Sequence, residues 1–178
     1  MEHLTIYCKK GTILGTKSRD EVHKDGNWHK VVEVWIINSD GHILMQKRSM
    51  QRRLYPGFWA ISFAGHVVGN DTEAITAIKE GKEELGIEFT ENDLLKLLTL
   101  KTKYKDKSLG ITDKQIETVY LLHKDYKIED FILDPEEVES VKYLTLAQFK
   151  QQNKQSDTMK HKPAVKALLK YLKSHFKK

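Results

Sequence analysis

Residues 65–87 read Gly65-His66-Val67-Val68-Gly69-Asn70-Asp71-Thr72-Glu73-Ala74-Ile75-Thr76-Ala77-Ile78-Lys79-Glu80-Gly81-Lys82-Glu83-Glu84-Leu85-Gly86-Ile87, and this stretch decides the fold. Asp71 or Thr72 is placed to cap a helix that runs to Leu85, and Gly86 is placed to end it. Ala74, Ile75, Ala77, Ile78 and Leu85 give that helix apolar surface to bury. Residues three and four apart share a helix face, so Glu80, Glu83 and Glu84 are neighbours. Like charges at this spacing destabilise a helix by roughly a few tenths of a kcal/mol per pair. They also lie in its C-terminal half, where the dipole disfavours anions. Lys79 and Lys82 project to different sides and cannot fully offset them. A divalent cation reverses the sign of the interaction, and hard oxygen donors suit magnesium or manganese. Glu80, Glu83 and Glu84 are therefore the candidate metal-binding and catalytic residues. The competing reading of such a triplet, taken alone, is a solvated acidic face.

Upstream, Leu4–Cys8 and Thr12–Gly15 read as short strands, and Ser18–His29 as a polar stretch carrying His23 and His29. Val31–Ile37 is β-branched and apolar, Asn38-Ser39-Asp40-Gly41 is turn chemistry, and His42–Arg48 follows, so Val31–Arg48 reads as a hairpin. Pro56-Gly57 marks a turn before an extended Trp59–Val68. Downstream, Leu94–Tyr104 and Gln115–Leu122 read as strands joined by the loop Lys105–Asp113. Val138–Leu144 reads as a further strand, Leu146–Gln151 as helix and Gln152–Lys160 as a polar linker. Val165, Leu168, Leu169, Leu172 and Phe176 recur at helical spacing with lysines opposite, which predicts a basic amphipathic helix over 161–176. That helix either docks on the domain or lies on a surface. Strands interleaved with few helices indicate an α+β chain.

The residues of 65–87 resemble the Nudix family signature, without a gap from Gly65 to Ile87. Asp71 stands for the first glutamate of that pattern, Lys79 for its arginine and Gly81 for its aliphatic residue; Glu80, Glu83, Glu84, Gly86 and Ile87 match. The resemblance implies a Nudix-type α/β/α sandwich with a mixed central sheet and a C-terminal helix. It places a single domain over 1–178, with a core about 29–155. It also implies that Glu80, Glu83 and Glu84 bind Mg2+ or Mn2+, with the backbone carbonyl of Ala64 as a further ligand. The activity implied is metal-dependent hydrolysis of a diphosphate linkage, a MutT-like pyrophosphatase reaction on a nucleoside diphosphate derivative or related small molecule.

Wider similarity runs through Arg19-Asp20-Glu21-Val22-His23, Trp28-His29, Leu44–Ser49 and Pro56-Gly57-Phe58-Trp59. These look like the Nudix subgroup that includes isopentenyl diphosphate isomerase, in which histidines matching His23, His29 and His66 bind a divalent metal. The isomerase uses a cysteine just before its Gly-His pair; this chain has Ala64, which has no proton to move. Its later Glu-x-Glu corresponds loosely to Asp113-Lys114-Gln115, with Glu117 nearby. The leading expectation is therefore a hydrolase on the isomerase-like scaffold. An isomerase-like enzyme is one alternative. A catalytically weak nucleotide-binding regulatory protein, favoured by Lys79 and Gly81, is another.

Lys47, Arg48, Arg52 and Arg53 form a compact basic cluster, and arginine's planar fork suits bidentate phosphate contact. Arg48, Arg52 and Lys47 are the expected substrate contacts. Trp59, with Phe63 and Tyr55, either stacks on a base or packs. Specificity is expected in the loops Arg48–Pro56 and Lys105–Asp113.

At 178 residues the chain is long enough to bury about two-thirds of its unfolded surface without staples. A single cysteine, Cys8, rules out an intramolecular disulfide and fits a reducing compartment. The opening residues lack the apolar core of a signal peptide, and no apolar run is long enough to span a bilayer, so the expectation is a cytoplasmic chain with no membrane partner. The net charge of +5 gathers in the lysine-rich end after Lys150, read as a solvated face, so nucleic acid is not the expected partner. A homodimer, common in the family resembled, stays open.

Overall fold

The computed structural model describes residues 2–155 and 162–176. In chain order it holds β1 (His3–Tyr7), β2 (Ile13–Ser18), α1 (Arg19–Asp25), β3 (Trp28–Ile37), β4 (Ile43–Arg48), β5 (Trp59–Ala60), β6 (Phe63–His66) and α2 (Glu73–Leu85). β7 (Leu94–Asp106), β8 (Ile111–His123), β9 (Val138–Leu144), α3 (Leu146–Gln155) and α4 (Lys162–His175) complete it.

The apolar runs of β3 and β8 lie side by side in parallel, from Trp28↔Lys114 to Ile37↔His123. Both faces of this pair are covered, which is why the two strands read as nearly continuous hydrophobic runs. β7 joins β8 antiparallel, and β6 joins the other edge of β3 antiparallel, Val31↔His66 to Val34↔Phe63. The sheet is therefore mixed. On one face, Val32, Val34 and Ile36 pack with Phe63, Ala77 and Leu85 beneath α2. On the other, Trp35, Ile37 and Val119 pack with Phe149 of α3 and Val165, Leu168 and Leu172 of α4. The result is the expected α/β/α sandwich. Lys166, Lys170 and Lys173 stay exposed on α4, so the amphipathic helix is docked. The expected linker falls partly inside α3; residues 156–160 of it, and residue 161 at the start of the expected helix, lie outside the described residues. Among the described residues, no helix is long and apolar enough to cross a membrane.

Two local expectations need correction. Val31–Arg48 is not a regular hairpin: β3 and β4 meet only at Ile37↔Ile43 and then diverge. β4 takes β9 and β5 as partners instead. The divergence leaves an opening in the sheet, bridged by the buried Ser62, whose Oγ accepts from Ile36 N (2.8 Å) and donates to Leu44 O (2.7 Å). The loop expected over 105–113 is shorter, because β7 and β8 continue pairing to Asp106↔Ile111.

α2 begins and ends where its sequence requires. Thr72 Oγ1 accepts from Ile75 N (3.1 Å), and Gly86 adopts φ 67° to close the helix. Gly81 is buried on this helix for a steric reason: a Cβ there would lie 2.6 Å from the ring of Phe89 and 3.2 Å from that of Phe63. The two rings occupy the space the aliphatic residue of the family pattern would fill. Gly81→Leu is therefore expected to destabilise the chain by about 2 kcal/mol despite its better helix propensity, because overpacking outweighs propensity. A raised thermal midpoint would contradict this packing.

Candidate active site

Glu80 and Glu84 lie one turn apart on α2, and burial decides their chemistry. Glu84 is only 6% exposed and accepts from Gln46 Nε2 (3.0 Å). Glu80 lies directly against Gly65 of β6, so closely that a Cβ at residue 65 would coincide with its carboxylate. This is the physical reason for the glycine that opens the sequence pattern. Burial first, and then the charge of Glu83, push the Glu80 carboxyl up to about 8. Burial and then Glu80 push Glu84 to about 8 as well. Glu83 is exposed at the rim. The three glutamates are thus brought to one side of α2, but their oxygens do not close into a compact cluster. Among the described residues, the only group of three or more such donors within 4.8 Å of one another is His23, His29 and His66.

The histidines reach that site from three elements. Ser18 caps α1 through a reciprocal box with Glu21, and Gly26 (φ 66°) ends it, so the polar stretch 19–25 is helical and carries His23. His29 comes from β3 and His66 from β6, with ring centroids 5.2–5.7 Å apart. Backbone carbonyls hold two Nδ1 atoms: Arg19 O at His23 (2.7 Å) and Asn27 O at His29 (3.2 Å). Those bonds place the ring protons on Nδ1 and leave the Nε2 lone pairs toward Asp113 Oδ1, at 3.8 Å and 3.5 Å. Burial, then the neighbouring His66, hold His29 down at about 3, and burial lowers His23, so both are neutral and ligand-ready near neutral pH.

A cavity of about 820 Å³ opens beside this group, and all four arginines of the chain, Arg19, Arg48, Arg52 and Arg53, line it. A second cavity, about 530 Å³, shares Arg48, Arg52 and Leu54 with the first and reaches Ala64, Gln46 and Glu84 through the opening between β3 and β4. Arg48 is fixed by its Nε, which donates to Leu54 O (3.0 Å), and Arg52 pairs with Glu137. Lys47 lines neither cavity: strand alternation turns it away from Arg48, and it pairs with Glu139 (2.6 Å). Trp59 also lines neither; it packs on the second core, with Lys142 Nζ 3.7 Å from its ring. Phe63 is fully buried against Phe89, whereas Tyr55 lines the smaller cavity in a left-handed conformation (φ 52°). Lys79 bonds Asp71 (2.7 Å), so the two departures at those positions pair with each other.

Sequence reasoning did not select Arg19, Gln46, Glu33 or Glu137 as site residues. Gln46 and Arg19 stand in stretches quoted above, but nothing in their spacing marks them. Glu33 hides inside an apolar strand.

These residues fit divalent ions on two counts. The half-buried Glu80 and buried Glu84 carboxyls on α2 face each other's charge, with Gln46 donating to Glu84, and three imidazoles converge with a carboxylate alongside.

An α/β/α fold with a carboxylate helix over a glycine-bearing strand, next to an arginine-lined cavity, defines a class of protein that handles cations and phosphate-like anions together. The NUDIX domain model matches residues 27–168, and the chain belongs to the Nudix hydrolase family. It is 34% identical over 154 residues to Nudix hydrolase 3 of Arabidopsis thaliana, a match covering 84% of this chain but 20% of the plant protein, so the chain spans a fifth of that relative's length. It is 28% identical over 141 residues to the isopentenyl-diphosphate Delta-isomerase of Corynebacterium efficiens, covering 78% of this chain and 73% of that one. The crystal structure of DR0079 from Deinococcus radiodurans shares the fold, with a TM-score of 0.68 and 20% identity over 93% of this chain and 97% of that chain.

The buried carboxyls make a direct statement about stability. Glu80 and Glu84 keep their protons to about pH 8 in the folded chain, against an ordinary value of 4.5. The folded state then binds more protons than the unfolded one between those limits, and stability falls as pH rises through that window. Glu84→Gln removes one such group. In chelator, its thermal midpoint is expected to climb relative to the unsubstituted chain from about pH 5 to about pH 9. A difference that stays flat across that range would contradict the burial of this carboxyl.

Proposed function

We propose that the chain is a hydrolase of a diphosphate linkage in a nucleoside diphosphate derivative or related small molecule, dependent on Mg2+ or Mn2+. One observation carries this reading above the others: the buried Glu84, one turn from the half-buried Glu80, lines the same cavity as Arg48 and Arg52. Carboxylates alone would repel a diphosphate, and arginines alone would bind it without activating water.

In this reading Glu80, Glu83 and Glu84 would hold one cation, with the Ala64 carbonyl as a further ligand, and Gln46 fixes the Glu84 carboxyl by its hydrogen bond. His23, His29 and His66 would hold a second cation. A bound divalent ion neutralises phosphate charge and lowers the pKa of water at the reacting phosphorus. Arg48 and Arg52 bind the phosphates and set their orientation. Water attacks one phosphorus, and the leaving phosphate or nucleotide departs as its P–O bond breaks. Positioning and charge neutralisation supply most of the acceleration.

The histidine group favours the isomerase-like alternative as well, since the subgroup resembled shares it. Ala64 opposes that alternative, because its side chain offers no proton for carbon chemistry. The reading as a weakly catalytic regulator loses its support from Lys79 and Gly81. Lys79 has an acidic partner in Asp71, and Gly81 is the residue that fits beneath Phe89.

Phosphate release from a panel of nucleoside diphosphate derivatives, with magnesium and with chelator, tests the proposal, with isopentenyl diphosphate turnover in parallel. Glu84→Gln is expected to lower turnover at least about 100-fold, the scale of losing a major electrostatic group. An unchanged rate in the folded variant rejects the role, and turnover of isopentenyl diphosphate alone would favour the isomerase-like enzyme.

A further inference from the structure

The smaller cavity has an end that the diphosphate chemistry does not use. Glu33 of β3 and Glu117 of β8 line it, at 3% and 1% exposure. Both stand on the sheet face that carries Trp35, Val119 and Leu121, where alternation calls for apolar residues. The two carboxyls are hydrogen-bonded to each other, and Glu33 also meets Trp35. Burial, and then Glu117, hold the Glu33 carboxyl well above the usual carboxylate range. An acid pair in such surroundings is a costly feature to keep without a ligand or a structural return.

A separate residue points to a ligand in the same cavity. Gln46 is 3% exposed, and while its Nε2 is committed to Glu84, its Oε1 is buried without a partner. Glu33 Oε1 is likewise buried without a partner. The cavity therefore offers unmet hydrogen-bond acceptors on both sides of the sheet, Gln46 Oε1 on the side of Glu84 and Glu33 Oε1 at the acid pair. Its nearby walls include Val31, Ile61 and Leu100, with the rings of Tyr55 and Tyr104 6.3 Å apart. Lys101, which also lines it, sends its ammonium outward to Lys9 O (2.6 Å). Flat aromatic walls with buried acceptors suit a planar nitrogen base, and they do not suit a hydrocarbon chain, which would leave the carboxyls against CH groups.

We propose that Glu33 and Glu117 form a base-recognition subsite that selects substrates whose organic end carries an exocyclic amino group, of the guanine, adenine or cytosine kind. Bases in which a carbonyl replaces the amino group, or that lack it, put an acceptor or nothing where the site needs a donor. The diphosphate end of this assignment rests on the proposed hydrolase reading; the base end rests on the acid pair and the buried, unmet Glu33 oxygen that lines the cavity.

Calorimetric binding of the non-hydrolysable α,β-methylene analogues of GDP, IDP, CDP and UDP, with magnesium, tests it. The unsubstituted chain is expected to bind the GDP analogue over the IDP analogue, and the CDP over the UDP analogue, by about tenfold or more, since a site built on buried hydrogen bonds rejects a ligand that leaves them unmade. In Glu33→Gln/Glu117→Gln the preference is expected to shrink to about twofold or to reverse, because each amide brings a donor that suits a carbonyl. Equal affinities within each pair, no measurable affinity for any analogue, or a preference unchanged in the folded double variant would overturn the proposal. If the double variant does not fold, the unsubstituted chain's paired affinities decide alone. Because the analogues are not cleaved, base selectivity without turnover of any member of the nucleoside diphosphate panel would reject the hydrolase reading and leave this subsite standing.

Discussion

The site depends on one close approach, that of the Glu80 side chain to the backbone of Gly65. A helix that carries several glutamates on one side would ordinarily turn them to water. Here the absence of a side chain at residue 65 lets α2 settle onto β6, and the Glu80 carboxyl is taken out of solvent with it. Glu84 follows one turn later and is buried more deeply. Their neutral forms are favoured in isolation, and a cation would favour their charged forms. In the proposed reading, the same geometry would convert an unfavourable charge arrangement into a cation site.

The second constraint is the divergence of β3 and β4. If the two strands paired along their length, the sheet would be closed and the carboxylates of α2 would face a continuous surface. Ser62 satisfies one backbone group on each side of the opening, which lets the strands separate without leaving those groups unmet. Through this opening the smaller cavity joins Glu84 on one face of the sheet to Glu33 and Glu117 on the other. The arginines shared by the two cavities stand at the junction, a sensible place for the phosphates of a ligand whose organic end lies deeper.

Legibility followed the range of the forces. The helix over Glu73–Leu85 was readable because its cap, its apolar spacing and its terminating glycine are all local. The α/β/α architecture was readable from the similarity carried by 65–87, and the parallel pairing of β3 with β8 agrees with their apolar runs. The expected hairpin does not form because strand partners are chosen over long distances, and β9, nearly a hundred residues downstream, outcompetes β3 for β4. α1 carries little sequence signal although Ser18 and Glu21 spell a capping box, because a polar helix of one or two turns has no apolar periodicity. Adjacency in sequence groups Lys47 with Arg48, whereas adjacent residues of a strand point to opposite faces. Glu33 and Glu117 could not be paired from sequence, since only the parallel register brings them together.

The central claim is that Glu80 and Glu84 converge on a divalent cation. Anomalous diffraction from crystals of the chain soaked in manganese tests it most directly. The account predicts a peak at direct ligation distance from both carboxylates, beside Ala64. A map with no peak there, and with both carboxylates still turned onto their present neighbours, would contradict it.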